Sequence, residues 1–295
     1  MNPEIIIKGS RGENRKKRSF FSQPLRVICL SFALVILVGT ILLCLPISSK
    51  SREVTPLVNS LFTATSATCV TGLITYDTFT HWSRFGQIVI ILLIQVGGLG
   101  LVTFSTFFTV IAGKKLGLRE MQLAQESINF GSMANINKML MGIVGTVLAC
   151  EGIGALLMST AFIPRYGVGE GIYISCFLAV SAFCNAGFDI LSFIPGNSSL
   201  SAFNGDPLVT LTISTLIIIG STGFVVFQDI YRKKISTRLH RQHVEKLSFH
   251  AQVCLRASLT LLVFGTVMLF ILEYNNTYRD LNFFEKLNAA FFQSV

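Results

Sequence analysis

Apolar residues come in long runs along most of this chain, separated by short polar stretches, and the lengths of the runs set the first expectations. Residues 25–45, 85–112, 139–163, 208–227 and 251–272 are apolar over about the 18–20 positions needed to cross a hydrocarbon core. They predict five helical spans. Two further apolar stretches, 57–68 and 171–183, are helical in composition but only about a dozen residues long. At 1.5 Å per residue, twelve residues reach only about 18 Å of the ~30 Å required. These two predict short helices that dip into the bilayer and return on the side they entered. Residues 281–295 have the same character and follow the fifth span as a third short helix.

The two short helices end in related sequences. Phe62, Ala64, Ser66, Ala67, Cys69 and Gly72 recur 115 positions later as Phe177, Ala179, Ser181, Ala182, Cys184 and Gly187. Six identities at one constant offset define an internal repeat of the unit span, short helix, loop, span. The expected fold is therefore an all-α integral membrane protein of helix–re-entrant pore loop–helix units, two complete and a third begun. The divisions are a basic cytoplasmic tail (1–25), a first unit (26–112), a cytoplasmic connector (113–138), a second unit (139–230), a basic cytoplasmic loop (231–250) and the first part of a third unit (251–295).

Composition agrees with the pattern: 51% of residues are apolar, 13% are charged and 25 are Phe. The net charge of +9 would suit nucleic acid, but its placement points elsewhere. With both short helices re-entering from one face, 18 of the 24 Lys and Arg fall in 1–26, 113–138 and 231–256, all on the other face. The positive-inside rule puts that face and the N-terminus in the cytoplasm. The run following the basic N-terminus has no small-residue cleavage pattern, so it is expected to remain as a span rather than to be removed as a signal peptide. All seven cysteines lie in or beside apolar runs without a CxxC pair and read as small buried hydrophobes.

Glycine gives the loops their chemistry. Non-helical backbone at membrane depth is tolerated where it is buried in protein or lines a water-filled cavity. There its carbonyls can replace the hydration shell of a cation, and glycine allows dihedrals that aim successive carbonyls to one side. The candidate ion-coordinating backbone is Cys69, Val70, Thr71 and Gly72 in the first loop and Cys184, Asn185, Ala186 and Gly187 in the second. No side chain there carries a fixed charge. Asp77 and Asp189 lie just outside, as solvated acids or as a means of concentrating cations. Gly97, Gly98 and Gly100 in the second span predict close helix packing in preference to a bend. They do not make a dinucleotide fingerprint, since no strand precedes them and the spacing is wrong.

Three segments together carry a family resemblance: Thr65-Ser-Ala-Thr-Cys-Val-Thr-Gly-Leu73, Gln95-Val-Gly-Gly-Leu-Gly100 and Ser181-Ala-Phe-Cys-Asn-Ala-Gly-Phe-Asp189. From about residue 25 onward the chain resembles the Trk/Ktr/HKT superfamily of potassium transporters, and most closely the membrane subunit of bacterial Ktr/Trk systems. The resemblance implies four such units around a pseudo-fourfold pore in the plasma membrane, with a single glycine per filter. It also implies a dimer of pores and a cytosolic nucleotide-binding regulatory ring. Potassium is then the transported ion, with sodium as a co-ion left open, and no cofactor is expected in this chain. The same offset applied to Gly187 puts a third filter glycine near position 302, beyond Val295. A C-terminally truncated chain, lacking the last two filter segments, is the expectation.

Other features weigh less. Glu151, flanked by Gly152 and Gly154, is the one acid within a span, and both a functional and a structural role stay open for it. His240, His243 and His250 could share a helical face, but no Cys or carboxylate completes a metal site. The basic loop around them suits anionic lipid headgroups or the regulatory ring. A membrane enzyme is disfavoured, because no HExxH or GxSxG occurs and no histidine lies in a span. A secondary transporter with broken helices is the alternative. Its repeats are often inverted, whereas these two units run in the same sense.

Overall fold

The computed structural model describes residues 24–100, 136–193, 199–203, 206–223, 226, 248–279 and 281–295. The tail, the 113–135 part of the connector, and the basic loop with His240 and His243 lie outside them.

The described residues form eight α-helices: α1 (Pro24–Cys44), α2 (Leu57–Thr68), α3 (Arg84–Leu99), α4 (Ile136–Tyr166), α5 (Val168–Phe183), α6 (Pro207–Thr222), α7 (Phe249–Glu273) and α8 (Phe283–Ser294). Among them there is no β-strand, only one isolated antiparallel bridge between Ser49 and Trp82. Local sequence explains most of the boundaries. Pro46 follows α1. Ser83 caps α3 by accepting a hydrogen bond from Gly86 N, and Ser248 caps α7 by accepting from Ala251 N. Asp206 does the same for α6 through Leu208 N, with Pro207 in the first turn, where its missing N–H costs nothing. Asn282 and Glu285 close a capping box at the start of α8.

Packing follows the repeat. Helices α1, α2 and α3 contact one another, as do α4, α5 and α6, while α7 pairs with α8. The units are joined by α3 against α5 and by α8 against α6, where Asn288 Nδ2 donates to Thr210 Oγ1 at 2.7 Å. A single buried cluster runs through the first two units, from Leu43 and Ile90 to Phe162, Phe188 and Val209. Outward-facing positions stay apolar, including Leu34, Ile41, Leu92, Leu156, Leu261 and Ile271. Apolar side chains both inside and outside suit a protein solvated by lipid.

Among the described residues, two helices, Met141–Tyr166 and Phe249–Glu273, are long and apolar enough to cross a membrane. The structure corrects two boundaries. The second short helix starts at Val168, three residues before the expected 171, because Gly167 at φ +82° turns the chain tightly out of α4. At 16 residues, or about 24 Å, α5 is as long as α3 and α6. Length alone therefore does not separate it from the spans. The expected uninterrupted span 85–112 is broken, since α3 stops at Leu99 and Gly100 takes φ +75°. Glycine permits that left-handed conformation without a Cβ clash. Gly100 is thus the C-cap of α3, and residues 101–112 of the expected span lie outside the described residues.

Candidate ion site where two loops meet

The ends of α2 and α5 are built alike. Cys69 and Cys184 are their C-caps, and each is followed by a residue at positive φ: Val70 at +57° and Asn185 at +58°. Thr71 N donates to Ser66 O (2.9 Å) and Val70 N to Ala67 O (3.3 Å); Ala186 N donates to Ser181 O (2.8 Å) and Asn185 N to Ala182 O (3.0 Å). Both are Schellman ends, with bonds reaching back five and three residues. Two residues further on, Gly72 and Gly187 take φ +74° and +73°. Asn tolerates the left-handed conformation, whereas β-branched Val is a true outlier there. Such strain persists only where the surroundings impose it.

The repeated serines hold the loops. Thr71 Oγ1 donates to Ser66 Oγ at 2.9 Å, and Ser181 Oγ donates to Phe188 O at 2.6 Å. The loops also meet. A Cβ placed on Gly72 would lie 2.6 Å from Ala186 O and 3.3 Å from Gly187 Cα, and one on Gly187 would lie 3.4 Å from Gly72 Cα. Two glycines separated by 115 residues are therefore packed against each other. Their absent side chains let one backbone approach the other.

Glycines on the third helix of each unit seat the loop bases. A Cβ on Gly97 would fall 2.0 Å from Thr68 O, at the end of α2, and one on Gly98 would fall 2.4 Å from Cys184 Sγ. In the second unit, a Cβ on Gly220 would fall 1.8 Å from Phe183 O, and Gly223 takes φ +83° after α6. Gly97 and Gly100 thus have counterparts in Gly220 and Gly223, 123 positions later. Sequence reasoning missed this second repeat. Its signal was a Gly-x-x-Gly recurring in each unit's second long run.

The loops differ in exposure: Cys184 and Ala186 are buried while Cys69 and Thr71 are exposed, and Asn185 and Gly187 are exposed while Val70 and Gly72 are half-buried. Beside the second loop a cavity of about 350 Å³ is lined by Asn185, Gly187, Asp189, Ile213, Phe292 and Val295, among others. The two acids beyond the loops sit in different settings. Asp77 accepts bonds from Thr80 N (2.7 Å), Phe79 N (3.1 Å) and the Ser192 hydroxyl, which ties the first loop to the second. Burial works to raise its pKa, but these bonds, led by that of Ser192, prevail and hold the carboxyl below its usual range. Burial pushes Asp189 up, against bonds from Leu191 N and Ser199 Oγ, and the Asp77 charge pushes the same way. No group of three metal-ligating side chains occurs among the described residues.

Polar residues on one face of α3 link the units. Arg84 pairs with Glu170 and lies 4.1 Å over the Tyr173 ring. Gln87 Nε2 donates to Trp82 O (3.0 Å) and Thr78 O (3.2 Å), and Gln87 Oε1 accepts from Tyr173 Oη (2.9 Å). Lower down, Gln95 Nε2 donates to both Glu151 oxygens, at 3.0 and 3.3 Å. Sequence alone singled out Glu151 but not its partner.

Tandem helix–loop–helix units, meeting at paired glycines in an apolar, all-helical frame, suit a helical membrane protein. The profile of the TrkH family, described as a cation transport protein, matches residues 5–292, and the chain belongs to that family. It is 38% identical over 273 residues to the potassium/sodium uptake protein NtpJ of Enterococcus hirae, covering 92% of this chain and 58% of that protein. Identity to the Ktr system potassium uptake protein B of Bacillus subtilis is 39% over 276 residues, with the same coverages. For the protein of that name from Vibrio alginolyticus it is 37%, with 92% and 57% covered. The chain thus spans somewhat under three-fifths of the length of these relatives. Membership in a family of cation transport proteins sets the membrane-enzyme reading aside.

Proposed function

We propose that this chain supplies two quadrants of a potassium-selective pore. Both loops are re-entrant from the outer face, and backbone carbonyls of Cys69, Val70, Thr71 and Gly72, with those of Cys184, Asn185, Ala186 and Gly187, take the place of water around a dehydrated potassium ion. One observation carries the reading: the loops share a positive-φ pattern at 70/72 and 185/187, and their glycines face each other across the contact. A binding pocket made by side chains would not need the same backbone twice. The C-terminal ends of α2 and α5 lead directly into the loops, so their negative dipole ends lie where a cation gains from them. Asp77 and Asp189 just beyond add to the local cation concentration.

Relatives named as potassium or potassium/sodium uptake proteins support potassium as the ion, and the sodium in one of those names makes a co-ion the natural companion proposal. The names "Ktr system" support a separate regulatory subunit. We take it to be a cytosolic nucleotide-binding ring that docks on the basic loops, with the pores paired as a homodimer in the plasma membrane and the N-terminus inside. The same sense of the two units favours a pore over a rocking secondary transporter.

The test is selectivity. In the assembled transporter reconstituted in liposomes, Gly72→Ser or Gly187→Ser should lower potassium selectivity over sodium by about tenfold or more, roughly 1.4 kcal/mol of discrimination. Membrane level should be unchanged. Wild-type selectivity in both variants would remove the assignment.

A further inference from the structure

Glu151 has no part in the pore as described so far, yet it occupies the middle of α4 and is only 6% exposed. A carboxyl group inside an apolar span is costly and is retained where it has a partner. Here the partner is neutral: Gln95 of α3, whose amide donates to both carboxylate oxygens at 3.0 and 3.3 Å. Among the described residues no cation bonds to Glu151. The third contact comes from Cys184, whose thiol donates to Glu151 Oε1 at 4.0 Å. Cys184 is the residue on which α5 ends and the second loop begins.

The other side of that sulfur is equally constrained. Gly98 lies one turn beyond Gln95 on the same face of α3, and a Cβ there would fall 2.4 Å from Cys184 Sγ. The first side chain of the loop is thus held between a hollow on α3 and a carboxylate on α4, and Gln95 bonds these two helices together. From Cys184 the chain passes through Asn185 at φ +58° to Gly187 at φ +73°, with Ala186 O against Gly72. Contacts thus run without a gap from the α3–α4 hydrogen bonds to the level of both glycines.

We propose that Gln95 and Glu151 are a positioning pair: their hydrogen bonds set the seat of Cys184, and through it the placement of the second loop's carbonyls and the ion discrimination there. The inference rests on the pore reading above. Neither residue touches the ion. Discrimination between two cations of equal charge depends on the geometry and field of the carbonyls, and functional groups must be held to within about 0.5 Å.

The experiment measures potassium-over-sodium selectivity in the assembled transporter in liposomes, together with the amount of each variant in the membrane. Gln95→Ala and Glu151→Ala should each lower selectivity by about tenfold. The double variant should be no worse than either single one, because the two residues act as one unit. Glu151→Gln still accepts a bond from Gln95 and should stay within about twofold of wild type. Gln95→Glu sets two carboxylates against each other and should lose selectivity, and adding Glu151→Gln to it, with donor and acceptor exchanged, should restore it. A merely structural role would not produce that rescue. Normal selectivity in Gln95→Ala at normal membrane level, or fully additive losses, would overturn the proposal. Should the alanine variants fail to reach the membrane, the exchange decides alone, and absence of rescue counts against the pair. Gly187→Ser is measured alongside. If it and Gly72→Ser both leave selectivity intact, the pore reading fails; if the glycine variants lose selectivity and the Gln95 and Glu151 variants do not, only the positioning role does.

Discussion

At the scale of single residues, glycines differ by what a side chain would meet. Gly97 lies where a Cβ would come within 2.0 Å of a backbone carbonyl, whereas Gly142, Gly145 and Gly152 have nothing within 4 Å. Gly97→Ala must push α3 off the end of α2, and overpacking of that kind costs about 1–3 kcal/mol. Gly152→Ala adds helix propensity without a clash and should be neutral or stabilising by about 0.4–1 kcal/mol. Thermal denaturation of the detergent-solubilised protein should rank Gly97→Ala below wild type and Gly152→Ala at or above it. The contrast is informative because both glycines sit in apolar helices and look alike in the sequence.

At the scale of elements, the join between the first two units depends on α3 meeting α5. The Arg84–Glu170 ion pair is the conspicuous link, but its side chains are 44% and 55% exposed. Exposed pairs contribute only about 0–1 kcal/mol. Gln87 is 1% exposed and makes three hydrogen bonds, two to the loop that returns from Gly72 and one to Tyr173 of α5. Replacing it leaves buried partners unpaired, at about 1–3 kcal/mol each. Gln87→Leu should therefore destabilise the protein more than Glu170→Gln does, as read by thermal unfolding. The reverse order would mean that the visible ion pair, not the buried amide, holds the units together.

At the scale of the whole molecule, the proposed topology has both loops entering from the outer face. Cys69, at the head of the first loop, is exposed, and Cys184, its repeat partner, is buried. In sealed cells that retain only one of these cysteines, a membrane-impermeant maleimide should label Cys69 from outside and leave Cys184 unmodified. Labelling of Cys69 only in inverted vesicles would reverse the topology drawn from the basic loops. The same arrangement explains why α7 presents Leu259, Val263 and Val267 outward. Apolar atoms facing lipid lose nothing by exposure there.

Much of this was legible in the residues alone, for a physical reason. Lipid admits few solutions, so run lengths and the 115-residue repeat already implied helices packed as units. Gly72 and Gly187 stood out through the repeat, and both take the positive φ that glycine accommodates. Contacts distant in sequence were decided only by the tertiary structure. That Gly72 faces Gly187, that Gly98 accommodates Cys184, and that Gln95 answers Glu151 depend on how α3 lies against the second unit. No period within either segment encodes that placement. Val70 shows the limit most plainly: a β-branched residue gives no local sign of a φ of +57°, and only the surrounding fold can hold it there.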